Sequence, residues 1–102
     1  MYYNEFENHK FDIGYVANGI EVKSQAIFNG KHIATINLNK DIDRQGFFWS
    51  VYETKEKTYL VYIENFITVF DYANSLLVFR SLEELLASVP QELAAELNIL
   101  MS

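Results

Sequence analysis

Two Asn-Gly dipeptides, Asn18-Gly19 and Asn29-Gly30, constrain the fold of this chain more than any other feature. A two-residue type I′ turn needs positive φ at both central positions, and Asn-Gly meets that demand at little steric cost. Each dipeptide therefore predicts a tight hairpin. With two-residue loops, Ala17 faces Ile20, Tyr15 faces Val22 and Ile13 faces Ser24, while Phe28 faces Lys31 and Ala26 faces Ile33. Together these registers predict a three-stranded meander over residues 10–38. It gathers Phe11, Ile13, Tyr15, Ala17, Ile20, Val22, Ala26, Phe28 and Ile33 on one face, and Asp12, Glu21, Lys23, Gln25 and His32 on the other. Val16, Ile27, Ile36 and Leu38 share the second face, so part of it needs cover.

Residues 39–46, NKDIDRQG, read as a polar loop, and FFWSVYET after it as a strand. A turn at KEK leads into TYLVYIENFITVFDY, which is apolar on both alternating faces and so suits a central strand. Glu64-Asn65 stands either at a further turn, which Asn favours, or inside a long bent strand. DYANS at 71–75 reads as a turn and LLVF at 76–79 as a last short strand. The apolar period then lengthens from two to about 3.6 residues. Ser81 and Glu84 form a capping box ahead of Leu82, Leu85, Leu86 and Val89. Pro90 ends or kinks that helix, and Ser88 and Gln91 can cap a second one carrying Leu93, Leu97 and Leu100. The expected fold is a single α+β domain over residues 1–102: an antiparallel β-meander of five to six strands, with one or two short C-terminal helices packed against the sheet.

A chain of 102 residues, 50% hydrophobic and 16% aromatic, has enough apolar surface for a core without metal or disulfide staples. The absence of Cys excludes disulfides, thiolate zinc sites and cysteine nucleophiles. Residues 1–20 lack the basic start and apolar run of a signal peptide, and no run approaches the roughly 18 apolar residues of a membrane span. A cytoplasmic location without membrane contact is expected.

The net charge of −6 is unevenly placed. Residues 1–57 hold eight acids against seven bases, whereas from Thr58 onward Glu64, Asp71, Glu83, Glu84, Glu92 and Glu96 face the single base Arg80. Binding to nucleic acid calls for a basic stripe that displaces counterions from phosphates, so direct contact with DNA or RNA is not expected.

Motifs for chemistry are sparse. Asp41-Ile42-Asp43-Arg44-Gln45-Gly46 imitates the start of a calcium loop, but Tyr52 occupies the place of the closing bidentate acid, and an aromatic strand follows where a helix is needed. His9 and His32 are far apart in sequence and read as surface residues, insufficient for a metal site. Gly14, Gly19, Gly30 and Gly46 form neither a phosphate loop nor a nucleophile elbow. The acid pairs Glu53/Glu56 and Glu83/Glu84 read as solvated. The expectation is a protein without catalytic residues, metal or cofactor.

What remains is surface chemistry. Glu92 and Glu96 stand at i and i+4, a like-charge pairing that weakens a helix by a few tenths of a kcal/mol, and no base follows Arg80 to relieve it. Such repulsion suits a surface made for a basic partner. The expected function is therefore a non-catalytic acidic protein-binding module, an inhibitor occupying a basic surface of a partner protein through Glu64, Asp71, Glu83, Glu84, Glu92 and Glu96. In composition the chain resembles small phage anti-CRISPR and toxin-immunity proteins, with no motif behind the likeness. The alternatives are a homodimeric scaffold, or a small-ligand domain, using Trp49, Tyr52, Tyr59 and Tyr62 on the aromatic strands.

Overall fold

The computed structural model describes residues 6–38, 46–66 and 71–101. Five strands, β1 (Glu7–Ala17), β2 (Ile20–Asn37), β3 (Gly46–Glu53), β4 (Tyr59–Phe66) and β5 (Tyr72–Phe79), precede helices α1 (Leu82–Ser88) and α2 (Gln91–Met101). All pairings are antiparallel between chain neighbours, and β1 also pairs with β5, so the expected meander closes into a barrel.

Asn18-Gly19 forms the predicted hairpin tip, with φ of 53° and 78°, and Ala17–Ile20, Tyr15–Val22 and Ile13–Ser24 are paired as expected. Asn29-Gly30 does not form a turn. It lies inside β2, where Phe28 pairs with His9 and Ala26 with Phe11, so the second hairpin and its register are overturned. The glycine is needed there for space instead: a Cβ on Gly30 would sit 3.1 Å from the Glu53 carbonyl oxygen and 3.3 Å from the Phe28 ring. At this point β2 changes partner, from β1 over residues 20–30 to β3 from Lys31 onward. A bulge between His32 and Ala34 then increases the local bend.

The second bend is at Gly14, whose φ is 141° and on which a Cβ would collide with the Val22 carbonyl oxygen. Only glycine lets the two strands approach so closely. Beside it runs the closing seam, in which Gly14, Tyr15 and Val16 pair with Asn74, Ala73 and Tyr72. These two bends curl the sheet until its outer strands meet. Tyr72–Phe79 is accordingly one continuous strand and not the turn expected at DYANS, and Glu64-Asn65 lies within β4. The turn at KEK is present, with Lys57 at φ 66°. The loop containing Asp41 and Asp43 falls outside the described residues.

Closure accounts for strands apolar on both faces. Tyr52, Leu60 and Tyr62 point into the barrel, where they pack with Phe11, Phe28 and Leu76. Phe11 stacks on Tyr62 with ring centroids 4.2 Å apart, although β1 and β4 are not adjacent strands; only the concave face permits that contact. On the opposite face Val51, Tyr59, Val61 and Phe79 join Leu85, Leu93 and Leu97 of the helices in a second core. Val51, Val61 and the three leucines are wholly buried.

The helices begin and end for local reasons. Ser81 Oγ accepts from the Glu84 amide at 3.1 Å, one half of the predicted capping box. Val89, immediately before Pro90, is extended at ψ 161°, because the proline ring disfavours helical backbone in the residue preceding it. The resulting break lets α2 cross onto β2 while α1 stays beside β5.

Candidate functional site

Docking through Leu85, Leu93 and Leu97 leaves Glu83, Glu84, Glu92 and Glu96 exposed. Glu83 and Glu84 lie in the first turn of α1 and Glu92 in that of α2, where the free amides favour negative charge. These three carboxylates thus support their own helices. Glu96, in the middle of α2 and one turn from Glu92, gains nothing of that kind. Neither helix carries a basic residue in its last turn.

Glu64 is separated from this group. It pairs across the sheet with Phe48 and Asn74, on the face of β4 turned away from the helices, and burial pushes its carboxyl above the ordinary value. Asp71 is half-buried just before β5. The six acids expected to act together are therefore divided, with the four helical ones on the layer outside the barrel.

The aromatic alternative is internal. Tyr52, Tyr59 and Tyr62 are buried and Trp49 packs against the helix-covered core, because one face of β3 and β4 lines the barrel and the other lies under the helices. Tyr62 donates its hydroxyl to the Asp12 carbonyl at 2.7 Å, and burial, with the charges of Glu64 and Asp12, pushes that phenol up to about 12. The exposed large apolar side chains include Tyr15, Ile20 and Val22 of the β1–β2 hairpin, with Tyr15 itself in the seam, paired with Ala73.

Two groups escaped the sequence reading. His9 and His32 flank Tyr52, with ring centroids 4.7 and 5.2 Å from it. His9 Nε2 donates to the Gly30 carbonyl at 2.9 Å, and His32 Nε2 lies 2.7 Å from Thr35 Oγ1, which in turn lies 2.9 Å from Ser50 Oγ. Among the described residues no set of three or more His, Asp or Glu is arranged to hold a metal ion.

The second is Glu53, expected in a solvated pair but only 3% exposed. Its Oε2 accepts the Tyr59 hydroxyl at 2.7 Å, and its Oε1 lies 3.4 Å from Lys31 Nζ and 3.5 Å from Lys57 Nζ. Burial raises the carboxyl's pKa, but the Tyr59 hydroxyl and the Lys57 and Lys31 ammonium groups outweigh it and hold the group below its ordinary value. Tyr59, desolvated and bonded to a carboxylate, is pushed up to about 12. The spacing Glu53–Lys57 was visible in the sequence; Lys31 enters through the β2–β3 register, which pairs it with Glu53. Around this group Lys31, Ile33, Glu53, Lys57, Leu100 and Met101 line an open cleft of about 360 Å3, with His32 also on its wall.

No described helix is long and apolar enough to cross a membrane. Compared with protein-family models, curated proteins and solved structures, the chain returns no significant match.

Proposed function

We propose that the chain is a non-catalytic protein-binding module that engages a basic surface of a partner through the carboxylates of α1 and α2. The observation that carries this reading is the exposure of Glu83, Glu84, Glu92 and Glu96 on two helices whose inner faces are fixed to the barrel by wholly buried leucines. A rigidly mounted acidic layer speeds encounter with a basic partner and orients it. Because carboxylates on such a surface compete with phosphates, the specific form of the proposal is an inhibitor that occupies a nucleic-acid-binding face, in the manner of an anti-CRISPR or immunity protein.

The test compares the parent with an E83Q/E84Q/E92Q/E96Q variant. Partners captured by the immobilised parent are identified, and association rates are measured at several salt concentrations. Slower association with a flatter salt dependence is expected for the variant. Equal rate and affinity at low salt would overturn the proposal.

A second reading is favoured by the exposed hairpin, where Tyr15 pairs with Val22 and Ala17 with Ile20 while Tyr15, Val22 and Ile20 are 43%, 50% and 57% exposed. Exposed apolar side chains adjacent on one hairpin suit self-association. Sedimentation of the parent against I20E/V22K decides it: a concentration-dependent dimer lost in the variant supports a homodimeric scaffold, and a monomer in both excludes one.

A further inference from the structure

In a protein of net charge −6, the cleft at the end of α2 has an anomalous charge. Its lining holds two lysines against one glutamate, and Lys55 lies nearby, its Nζ 5.7 Å from the centroid of the same Phe6 ring that Lys31 approaches at 5.5 Å. Glu53 acts as a pin. One of its oxygens is taken by Tyr59, and the other holds both the Lys31 and Lys57 ammonium groups, so close together that one anion can touch both. Each ammonium has three donors, and the single shared oxygen does not exhaust them.

The rest of the lining is apolar. Ile33 and Met101 pack at the edge of the helix-covered core, while Leu100 is 51% exposed at the cleft and belongs to neither core cluster. A volume of about 360 Å3 lies at the lower end of the usual range for small-molecule sites, roughly 300–1,000 Å3. Paired cations beside a short apolar wall match a ligand with one anionic head and a short hydrocarbon tail.

We propose that this cleft binds a small amphiphilic carboxylate, its head group held between Lys31 and Lys57 and its tail laid along Ile33, Leu100 and Met101. The site is independent of the acidic helical face and stands whether or not that face binds a partner.

The chain has two methionines, Met1 and Met101, so 13C-labelling of the methionine methyl groups places one reporter in the cleft. Octanoate, kept below its micellar range, is titrated against the labelled full chain, with octanol and inorganic phosphate as controls. Octanoate shifts the Met101 signal saturably. Octanol and phosphate each bind at least about tenfold more weakly, and K31Q/K57Q weakens octanoate at least about tenfold. Because that double substitution also strips the countercharges from buried Glu53, L100E provides a second variant that repels the anion and leaves Glu53 untouched; it weakens octanoate as well. The proposal fails if octanoate leaves Met101 unmoved, if octanol or phosphate alone binds as tightly, or if L100E binds octanoate like the parent.

Discussion

Tyr59 and Glu53, paired across the β3–β4 hairpin, form a buried hydrogen bond of 2.7 Å between a phenol and a carboxylate. Replacing Tyr59 by Phe leaves the carboxylate desolvated with one donor fewer, which costs about 1–3 kcal/mol. The carboxyl's pKa is depressed in the fold, so its contribution is complete above the unfolded value near 4.5 and is lost as pH falls through the lower folded value. Denaturant unfolding of Y59F and parent should therefore diverge at pH 7 and converge on acidification below about pH 4.5.

The phenols give a second check on the same interior. Tyr59 and Tyr62 are both pushed up to about 12, chiefly by burial. An ultraviolet titration should show tyrosine ionisation extending to about pH 12, with Y59F and Y62F each removing one late step. A single transition near pH 10 for all tyrosines would contradict the burial described.

Glu64 has the opposite linkage to Glu53. Its carboxyl is raised by desolvation, so the folded state binds its proton more readily and carries a penalty that develops as pH rises past the unfolded value near 4.5 and is complete above the folded value. Glu64→Gln should raise stability at pH 7, and the gain should disappear as pH falls toward 4.5. Thermal unfolding at two pH values measures it.

Gly14 and Gly19 both have positive φ, yet their replacement by Ala should differ in cost. At Gly19 nothing lies within 4 Å of an added Cβ, so the cost is the left-handed strain of about 1–2 kcal/mol. At Gly14 the Cβ would collide with the Val22 backbone beside the seam, and a loss of more than about 3 kcal/mol is expected. Denaturant midpoints of G14A and G19A, with near-ultraviolet circular dichroism on G14A, separate the two.

The helical acids also differ among themselves. Glu96→Gln relieves the pair with Glu92 and should stabilise by a few tenths of a kcal/mol, whereas Glu83→Gln removes a charge favoured at a helix start and should cost about as much. Thermal midpoints of the two single variants should shift in opposite directions.

What could be read from the sequence was mainly local. The Asn18-Gly19 register, the turn before Thr58, the Ser81 cap and the inward leucines each follow from a few neighbouring residues. Asn29-Gly30 misled because the same dipeptide serves two demands: positive φ at a turn, and a missing Cβ where Glu53 approaches Gly30. The helical carboxylates could be placed at the surface from periodicity alone. The Lys31–Glu53–Lys57 cleft and the histidines around Tyr52 could not, since both depend on which residues of β2 fall opposite β3 and on how far the barrel curls.

Among the described residues the seam between β1 and β5 joins three residue pairs, and the partners come from distant parts of the chain. A ladder so short, formed between segments so far apart in sequence, incurs most of the loop-closure entropy for the fewest hydrogen bonds. Folding should therefore assemble the β1–β2 and β3–β4 hairpins first and fasten the cylinder last. The same step, run backwards, should be the first breach in the native state, and hydrogen exchange should reach the amides that bridge this seam before those of the β1–β2 and β3–β4 ladders.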